Sequence, residues 1–351
     1  MLKNDPVEYL EKLGQEHREG EGMKVNFAVI GTNMITDRFI KAAKKTEEFC
    51  LKGVYSRSME RALEYGGKYG AQLFFDNLED LAASSQIDAV YVASPNCYHA
   101  KQSIRMMEAH KHVLCEKPVA SNVREFQAME DAALKNQVIF MEAMRNVYTP
   151  GFRAVKENLY KLGKIRRATL QYCQYSSRYD NFKKGIIENA FKPELSNGAL
   201  MDIGSYCVHF MAALFGKPES IQSCSLKLSN GADGAGTILA QYQGMQAELI
   251  YSKITDSRLP SQIQGEEGSM VIQEVSNPRK AVIYSRRGEH EVLEISSIDT
   301  DMTYEIREFL RLIQEKQYDH PYLQNSRLEM EIIDQVRRQQ GIIFPADSEE
   351  L

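Results

Sequence analysis

From Lys24 to Glu142 short apolar runs alternate strictly with amphipathic segments, and this alternation restricts the fold more than any other feature of the chain. Strand-like runs cover 24–30, 49–55, 72–75, 87–93, 111–115 and 138–142; helix-like segments cover 34–46, 58–69, 77–84, 98–109 and 122–136. Strands separated by helices do not pair as hairpins, so the spacing predicts a parallel sheet with helices on both faces. "DAVYVA" and "HVLCEK" lack a polar face, as strands covered on both sides require.

After Pro150 the pattern changes. A helix pattern over 151–162 precedes "IRRATLQYCQYS", an irregular stretch and a helix pattern over 199–215. Strand-like runs then follow at 219–228, 236–243, 246–253, 269–273, 280–285 and 289–295, with only turns between them, which predicts a mainly antiparallel sheet. "SNGADGAG" reads as a loose hairpin turn and does not match a calcium loop. Helix patterns at 303–316 and 326–340 close the chain, the second with an apolar stripe of Leu328, Ile332, Ile333 and Val336.

The fold class is therefore α/β: an N-terminal doubly wound parallel sheet over 23–145 and a C-terminal α+β domain with a large, open, mainly antiparallel sheet over 146–325. A charged extension occupies 1–22, and the helix and tail over 326–351 are expected to pack back on the first domain. Ile238, Ala240 and Tyr242 alternate with Thr237, Leu239 and Gln241, so both sheet faces carry apolar area, and the outer one is expected to be a subunit interface of a homodimer or homotetramer.

With 351 residues the chain is long enough for two cores, and 43% hydrophobic with 26% charged residues is ordinary for a globular protein. A formal net charge of -5 gives no general attraction to polyanions, so neither nucleic acid nor an anionic membrane surface is the expected partner. Cys50, Cys97, Cys115, Cys173, Cys207 and Cys224 are scattered without a C-x-x-C pair and read as reduced, buried thiols rather than a disulfide framework or metal site. No apolar run approaches the ~18 residues of a membrane span, and no signal-peptide core stands at the N-terminus; a cytoplasmic location is expected.

In an open α/β sheet a ligand lies outside the carboxyl ends of the strands, and the first strand-to-helix turn holds a pyrophosphate against helix N–H groups. Here that turn reads Gly31-Thr32-Asn33-Met34-Ile35-Thr36, with only the first glycine of G-x-G-x-x-G/A present. Asparagine tolerates a left-handed backbone and its amide can donate to phosphate, so Asn33 is expected to stand in for the second glycine. Strand two ends Val54-Tyr55-Ser56-Arg57, without the acid that an NAD ribose prefers; a guanidinium there suits a 2′-phosphate, pointing to NADP before NAD. Strand four ends in Ser94-Pro95-Asn96 with His99 beyond, and strand five in Glu116-Lys117-Pro118, both at the edge where a nicotinamide would sit. A lysine buried there can polarise a carbonyl or help deprotonate a hydroxyl.

In "NGALMDIGSYCVHFMAALFG", Asp202, Tyr206 and His209 fall at i, i+4 and i+7, on one face of an otherwise apolar helix. Three aligned polar groups need partners or a task.

Together, "AVIGTNMI", "VASPNCYH", "HVLCEKPVA", "GALMDIGSY" and the ending "QQGIIFP" resemble the Gfo/Idh/MocA family from about Lys24 to Pro345. The motifs are nearest to its dihydrodiol and xylose dehydrogenase branch. The resemblance implies a Rossmann domain, an open sheet used in oligomers, and a hydride transfer between NAD(P) and a hydroxyl or carbonyl carbon of a sugar, polyol or dihydrodiol. It implies Lys117, Asp202 and Tyr206 as the catalytic set: Tyr206 moves the hydroxyl proton, Lys117 assists by its charge, and Asp202 orients Lys117 or Tyr206. His209 and Arg145 are substrate candidates, Arg145 standing in "MEAMRNVYTP" where relatives often carry bulky aromatic residues. The competing reading is a catalytically inactive NAD(P)-binding regulator of the same fold.

Overall fold

The computed structural model describes residues 24–296 and 300–349; the extension over 1–22 lies outside the described residues. Each strand and helix expected between 24 and 142 is present, its ends displaced by a few residues at most. They are β1 (Val25–Ile30), α1 (Met34–Ala43), β2 (Phe49–Tyr55), α2 (Met59–Tyr69), β3 (Leu73–Phe75), α3 (Leu78–Ala83), β4 (Ala89–Val92), α4 (His99–Glu108), β5 (His112–Glu116), α5 (Val123–Asn136) and β6 (Phe140–Ala143). The helices start where sequence chemistry dictates: Asn33, Ser58, Asn77 and Asn122 each accept backbone N–H groups as N-caps of α1, α2, α3 and α5.

The six strands pair in parallel in the order β3-β2-β1-β4-β5-β6. Chain order reverses between β1 and β4, which opens a crevice at their carboxyl ends. Phe39 of α1 stacks on Tyr91 of β4 with ring centroids 3.7 Å apart, fixing the helix over this switch point. Gly31 has φ 113°, and a Cβ there would lie 2.5 Å from the Ala93 carbonyl oxygen, so the turn admits no side chain at that position.

Asn33 differs from expectation. Its backbone is extended (φ -114°, ψ 179°), not left-handed. Its Oδ1 accepts from the Ile35 and Thr36 N–H groups and its Nδ2 donates to the Ala93 carbonyl at 2.8 Å. Asn33 therefore joins α1 to the β4 turn instead of imitating glycine, and the Thr36 hydroxyl, also bonded to Asn33 Oδ1, belongs to the same cap.

The second half adds α6 (Pro150–Glu157), β7 (Ile165–Cys173), α7 (Ser177–Lys183) and α8 (Ser205–Phe215). These are followed by β8 (Ser220–Lys227), β9 (Asp233–Tyr242), β10 (Met245–Ser252), β11 (Ser261–Gly265), β12 (Gly268–Ile272), β13 (Ala281–Ser285) and β14 (His290–Leu293). Eight strands pair in the order β14-β13-β12-β11-β7-β10-β9-β8, all antiparallel except β7 with β10. β11, "SQIQG", carries no sequence signal: Ile263 is its one apolar residue, and the other inward residue in full burial is Ser261, so no apolar alternation registers.

The helix expected over 199–215 is two pieces, a wide π turn at Leu200–Gly204 and then α8. Asp233 sets the start of that turn. It lies buried at the head of β9 instead of in the solvated hairpin, and its Oδ2 accepts from the Leu200 N–H at 2.6 Å. By length and apolarity alone Pro193–Phe215 could cross a membrane, contrary to the sequence expectation, but 78% of its apolar window is buried inside the protein. The cysteines are unpaired, as expected, although Cys224 is exposed and Cys50, Cys97 and Cys173 are only partly buried.

Two helices complete the chain, α9 (Met302–Glu315) and α10 (Pro321–Gln340), the latter starting five residues before the expected 326 because Pro321 opens its first turn. α10 packs on α8 and β8 and also on α5 and β6, and α9 packs on α1. On the outer face of the large sheet Leu226, Leu239, Tyr284 and Val292 are exposed, while Ile238, Leu249, Ile263 and Met270 fill the inner face.

Replacing Asn33 by glycine removes the cap and the bond to Ala93 together. The expected loss is about 1 kcal/mol of unfolding free energy, read by urea denaturation.

Candidate active site

Three turns meet at the carboxyl edge of the parallel sheet. Thr32, Met34 and Ile35 from the β1 turn line an outer cavity of about 760 Å³. Ser94, Asn96 and His99 from the β4 turn, with Glu116 and Lys117 from the β5 turn, line an inner one of about 550 Å³. Asn33, Ile35, Arg38 and Arg178 belong to both walls, so the two form one cleft along the switch point. Its length, the side-chain-free turn at Gly31 and the cationic rim fit a dinucleotide.

Each β4-turn residue also ties structure together. Asn96 Nδ2 donates to the Ser196 carbonyl at 2.9 Å and to Asn197 Oδ1 at 3.0 Å, linking the parallel sheet to the second half of the chain. The His99 ring is buried between the Pro118 carbonyl at 3.0 Å and the Ser94 carbonyl at 2.9 Å, a strut between the two turns. Burial pulls its imidazole below the usual range despite these two contacts. Glu116 is buried against the Tyr91 hydroxyl, and burial pushes its carboxyl up.

Lys117 is where the two halves of the chain converge. Its Nζ donates to the Asp202 carbonyl at 2.6 Å and to Asp202 Oδ1 at 2.8 Å, and lies 5.0 Å from the centre of the Tyr206 ring. The other carboxylate oxygen, Oδ2, pairs with Lys253 Nζ. Burial alone would pull the Lys117 ammonium down, but the Asp202 and Tyr206 oxygens outweigh it and hold its pKa above the ordinary value. Burial likewise works to raise Asp202, and the two ammonium groups drive it far below the carboxylate range instead.

Lys253 escaped sequence reasoning. It is 3% exposed, sits just past the end of β10 and lies 5.0 Å from the Phe191 ring. The same signal that singles out Lys117, a lysine closing an apolar strand, is present in "AELIYSK", but only tertiary pairing brings that strand end to Asp202.

Other expectations need correction. Asp202 and Tyr206 do line the inner cavity, but His209 does not: it is 1% exposed and turned to Glu329 of α10, with Nδ1 2.7 Å from Oε2. The π turn offsets only Asp202 from the helix; Tyr206 and His209 stand three residues apart within α8, and His209 is drawn from the cleft by its contact with Glu329 of α10. Arg145 is not on the cavity wall either. Its Nε donates to the Tyr206 hydroxyl at 3.0 Å and its Nη1 pairs with Asp301. Ser56 and Arg57 stand at the end of β2 outside both cavity walls, while Arg61, one turn along α2, reaches the Thr32 hydroxyl and carbonyl at 3.3 Å each and lines the outer cavity with Lys68.

Residues 25–144 match the GFO_IDH_MocA oxidoreductase family, NAD-binding Rossmann fold, and residues 152–271 match the GFO/IDH/MocA C-terminal domain. The chain belongs to the Gfo/Idh/MocA family. It is an oxidoreductase with an NAD-binding Rossmann domain. The scyllo-inositol 2-dehydrogenase (NADP(+)) IolU of Bacillus subtilis (strain 168) is 46% identical over 325 residues, 92% of this chain and 99% of that one. The trans-1,2-dihydrobenzene-1,2-diol dehydrogenase of Danio rerio is 27% identical over 345 residues, 93% of this chain and 100% of that one. Among solved structures, the 3-ketoreductase KijD10 of Actinomadura kijaniata with NADP and TDP-benzene superposes with a TM-score of 0.81 over 92% of this chain and 99% of that one; at 21% identity it establishes the fold.

In this Gfo/Idh/MocA chain His209 belongs to a buried group behind the cleft. Glu142, His209 and Glu329 offer ligand atoms within 4.8 Å of one another. Three of the four carboxyl oxygens are already bonded: Glu142 Oε1 to the Val119 N–H, Glu142 Oε2 to the Ser326 hydroxyl and Glu329 Oε2 to the imidazole. Burial pushes Glu142 and Glu329 each up to about 8, so both are protonated near neutrality, and burial holds His209 below its usual range. The folded chain then keeps protons that the unfolded chain releases near the ordinary value of 4.5. Their stabilising contribution is complete below that value and is lost as pH rises through about 8. The melting temperature should therefore fall between about pH 5 and about pH 9, and Glu329→Gln should flatten that decline.

Proposed function

We propose that this chain is an NADP-linked dehydrogenase that oxidises a CH–OH group of a cyclic polyol or sugar, or reduces the matching carbonyl. The observation that carries the reading is the Lys117 ammonium, held charged by Asp202 beside Tyr206 on the wall of the cleft that begins at the Gly31 turn. The 46% identical relative named for NADP(+) and scyllo-inositol supports both the cofactor and the polyol class. The acid-free end of β2, with Arg61 on the wall of the outer cavity, supports NADP over NAD.

Bound NADP supplies the hydride acceptor or donor at its nicotinamide carbon. The turn at Gly31 would hold the pyrophosphate, with the Ile35 and Thr36 N–H groups already committed to the Asn33 cap, and Ser94, Asn96 and Glu116 would flank the nicotinamide end. Lys117 is the electrostatic partner and not the base, because Asp202 keeps it protonated. Two of its three N–H bonds go to Asp202, and the third is free for the reacting oxygen. Tyr206 lines the same wall; as the phenolate it would take the substrate proton in oxidation, becoming the phenol, and as the phenol it would give that proton back in reduction. The outer sheet face, with Leu226 and Leu239 more than half exposed, is assigned to a homodimer or homotetramer contact. Six free cysteines suit a reducing cytoplasm.

The test is turnover of scyllo-inositol, aldoses and trans-1,2-dihydrobenzene-1,2-diol with NADP+ and NAD+ in the unaltered enzyme, Tyr206→Phe and Lys117→Met. Both variants should lose roughly 10²- to 10⁴-fold in kcat while binding NADP normally. Full turnover in either, or none in the unaltered enzyme across these substrates, removes the proposal.

A further inference from the structure

Arg145 follows β6 in a short 3-10 turn and carries its guanidinium behind the Tyr206 ring, with Cζ 5.3 Å from the ring centre. The guanidinium has two partners at once: Nε donates to the Tyr206 hydroxyl at 3.0 Å and Nη1 pairs with Asp301, whose side chain is 6% exposed. Asp301 Oδ1 also faces Arg38 Nη2 at 3.4 Å, so the carboxylate is held from a second side. Asn146, the next residue, anchors the backbone by donating to the Val275 carbonyl at 3.0 Å. Asp301 is the carboxylate that pairs with this guanidinium.

A guanidinium only donates, and it keeps its proton throughout the working pH range. Toward Arg145 the phenol oxygen is therefore always an acceptor, and its own O–H, or the lone pair left when that proton departs, must point elsewhere. The direction left is the cavity wall that Tyr206 shares with Lys117. Lysine cannot reproduce the arrangement, because the two contacts come from different nitrogens of one planar fork.

We propose that Arg145, braced by Asp301, is the positioning residue that aims the Tyr206 hydroxyl into the cleft and stabilises it as a proton acceptor. The inference rests on the dehydrogenase reading for its kinetic consequence, but the contact itself is testable without turnover. The full chain is prepared as Arg145→Ala, Arg145→Lys and Asp301→Asn, with scyllo-inositol and NADP+ as the assay pair. Arg145→Ala should lose about 10²-fold in kcat, with KM for polyol and NADP changed only a few-fold. Millimolar guanidinium should restore a substantial part of the loss, which a misfolded or merely loosened chain would not allow. Arg145→Lys and Asp301→Asn should fall between. In protein labelled with 3-fluorotyrosine, the fluorine resonance missing from Tyr206→Phe should move in Arg145→Ala and return toward its original position with guanidinium. An unmoved resonance, or a kcat loss that guanidinium does not relieve, overturns the assignment. The resonance decides it even if the unaltered enzyme oxidises no polyol, an outcome that removes the dehydrogenase reading instead.

Discussion

The Asp202 carboxylate, set between the ammonium groups of Lys117 and Lys253, is the interaction on which the rest of the site depends. Its three members come from the β5 turn, the π turn before α8 and the end of β10, so one carboxylate joins the parallel sheet to the large sheet. A buried lysine without such a partner would shed its proton, and two buried lysines without it would also repel each other. The π turn presents Asp202 by both its backbone carbonyl and its side chain, and Asp233 fixes where that turn begins. Glycine is required at position 198 for the same reason, since a Cβ there would lie 2.0 Å from Asp233 Oδ1.

The surroundings concentrate negative charge where it is used. Burial raises the carboxyls of Glu142, Glu305 and Glu329, none of which lines the cleft, and that of Glu116 on its inner wall. The inner cavity is faced by Asp202 and the burial-raised Glu116 among four cations, Lys117, Lys253, Arg38 and Arg178. That balance suits an anionic dinucleotide and an oxygen that gains negative charge during reaction.

How much of this is legible in the sequence depends on how local each cause is. The parallel sheet is legible because strands buried on both faces are continuous apolar runs, and the helix starts because Asn33, Ser58, Asn77 and Asn122 cap within three residues. The turn lysine Lys117 is legible from its cost of burial. β11 is not, because its pairing with β7 and β12 supplies what its own residues lack. The π turn is not, because its cause, Asp233, lies over thirty residues away. The orientation of His209 is not legible either, because its partner Glu329 lies 120 residues away on α10. For Asn33 the sequence suggests a tolerant backbone and an amide for phosphate, whereas the amide is bonded to the Ala93 carbonyl sixty residues on, a partner that only the tertiary fold supplies.

The most direct measurement of the central claim is the pH profile of kcat for Asp202→Asn beside the unaltered enzyme, both with saturating NADP+. With Asp202 present Lys117 keeps its proton into the alkaline range, so its loss should not limit activity near neutrality. With asparagine there, burial and the neighbouring Lys253 both oppose the charge, and the alkaline fall in activity should move to lower pH by roughly one unit or more. An alkaline limb at the same pH in both proteins would contradict the account.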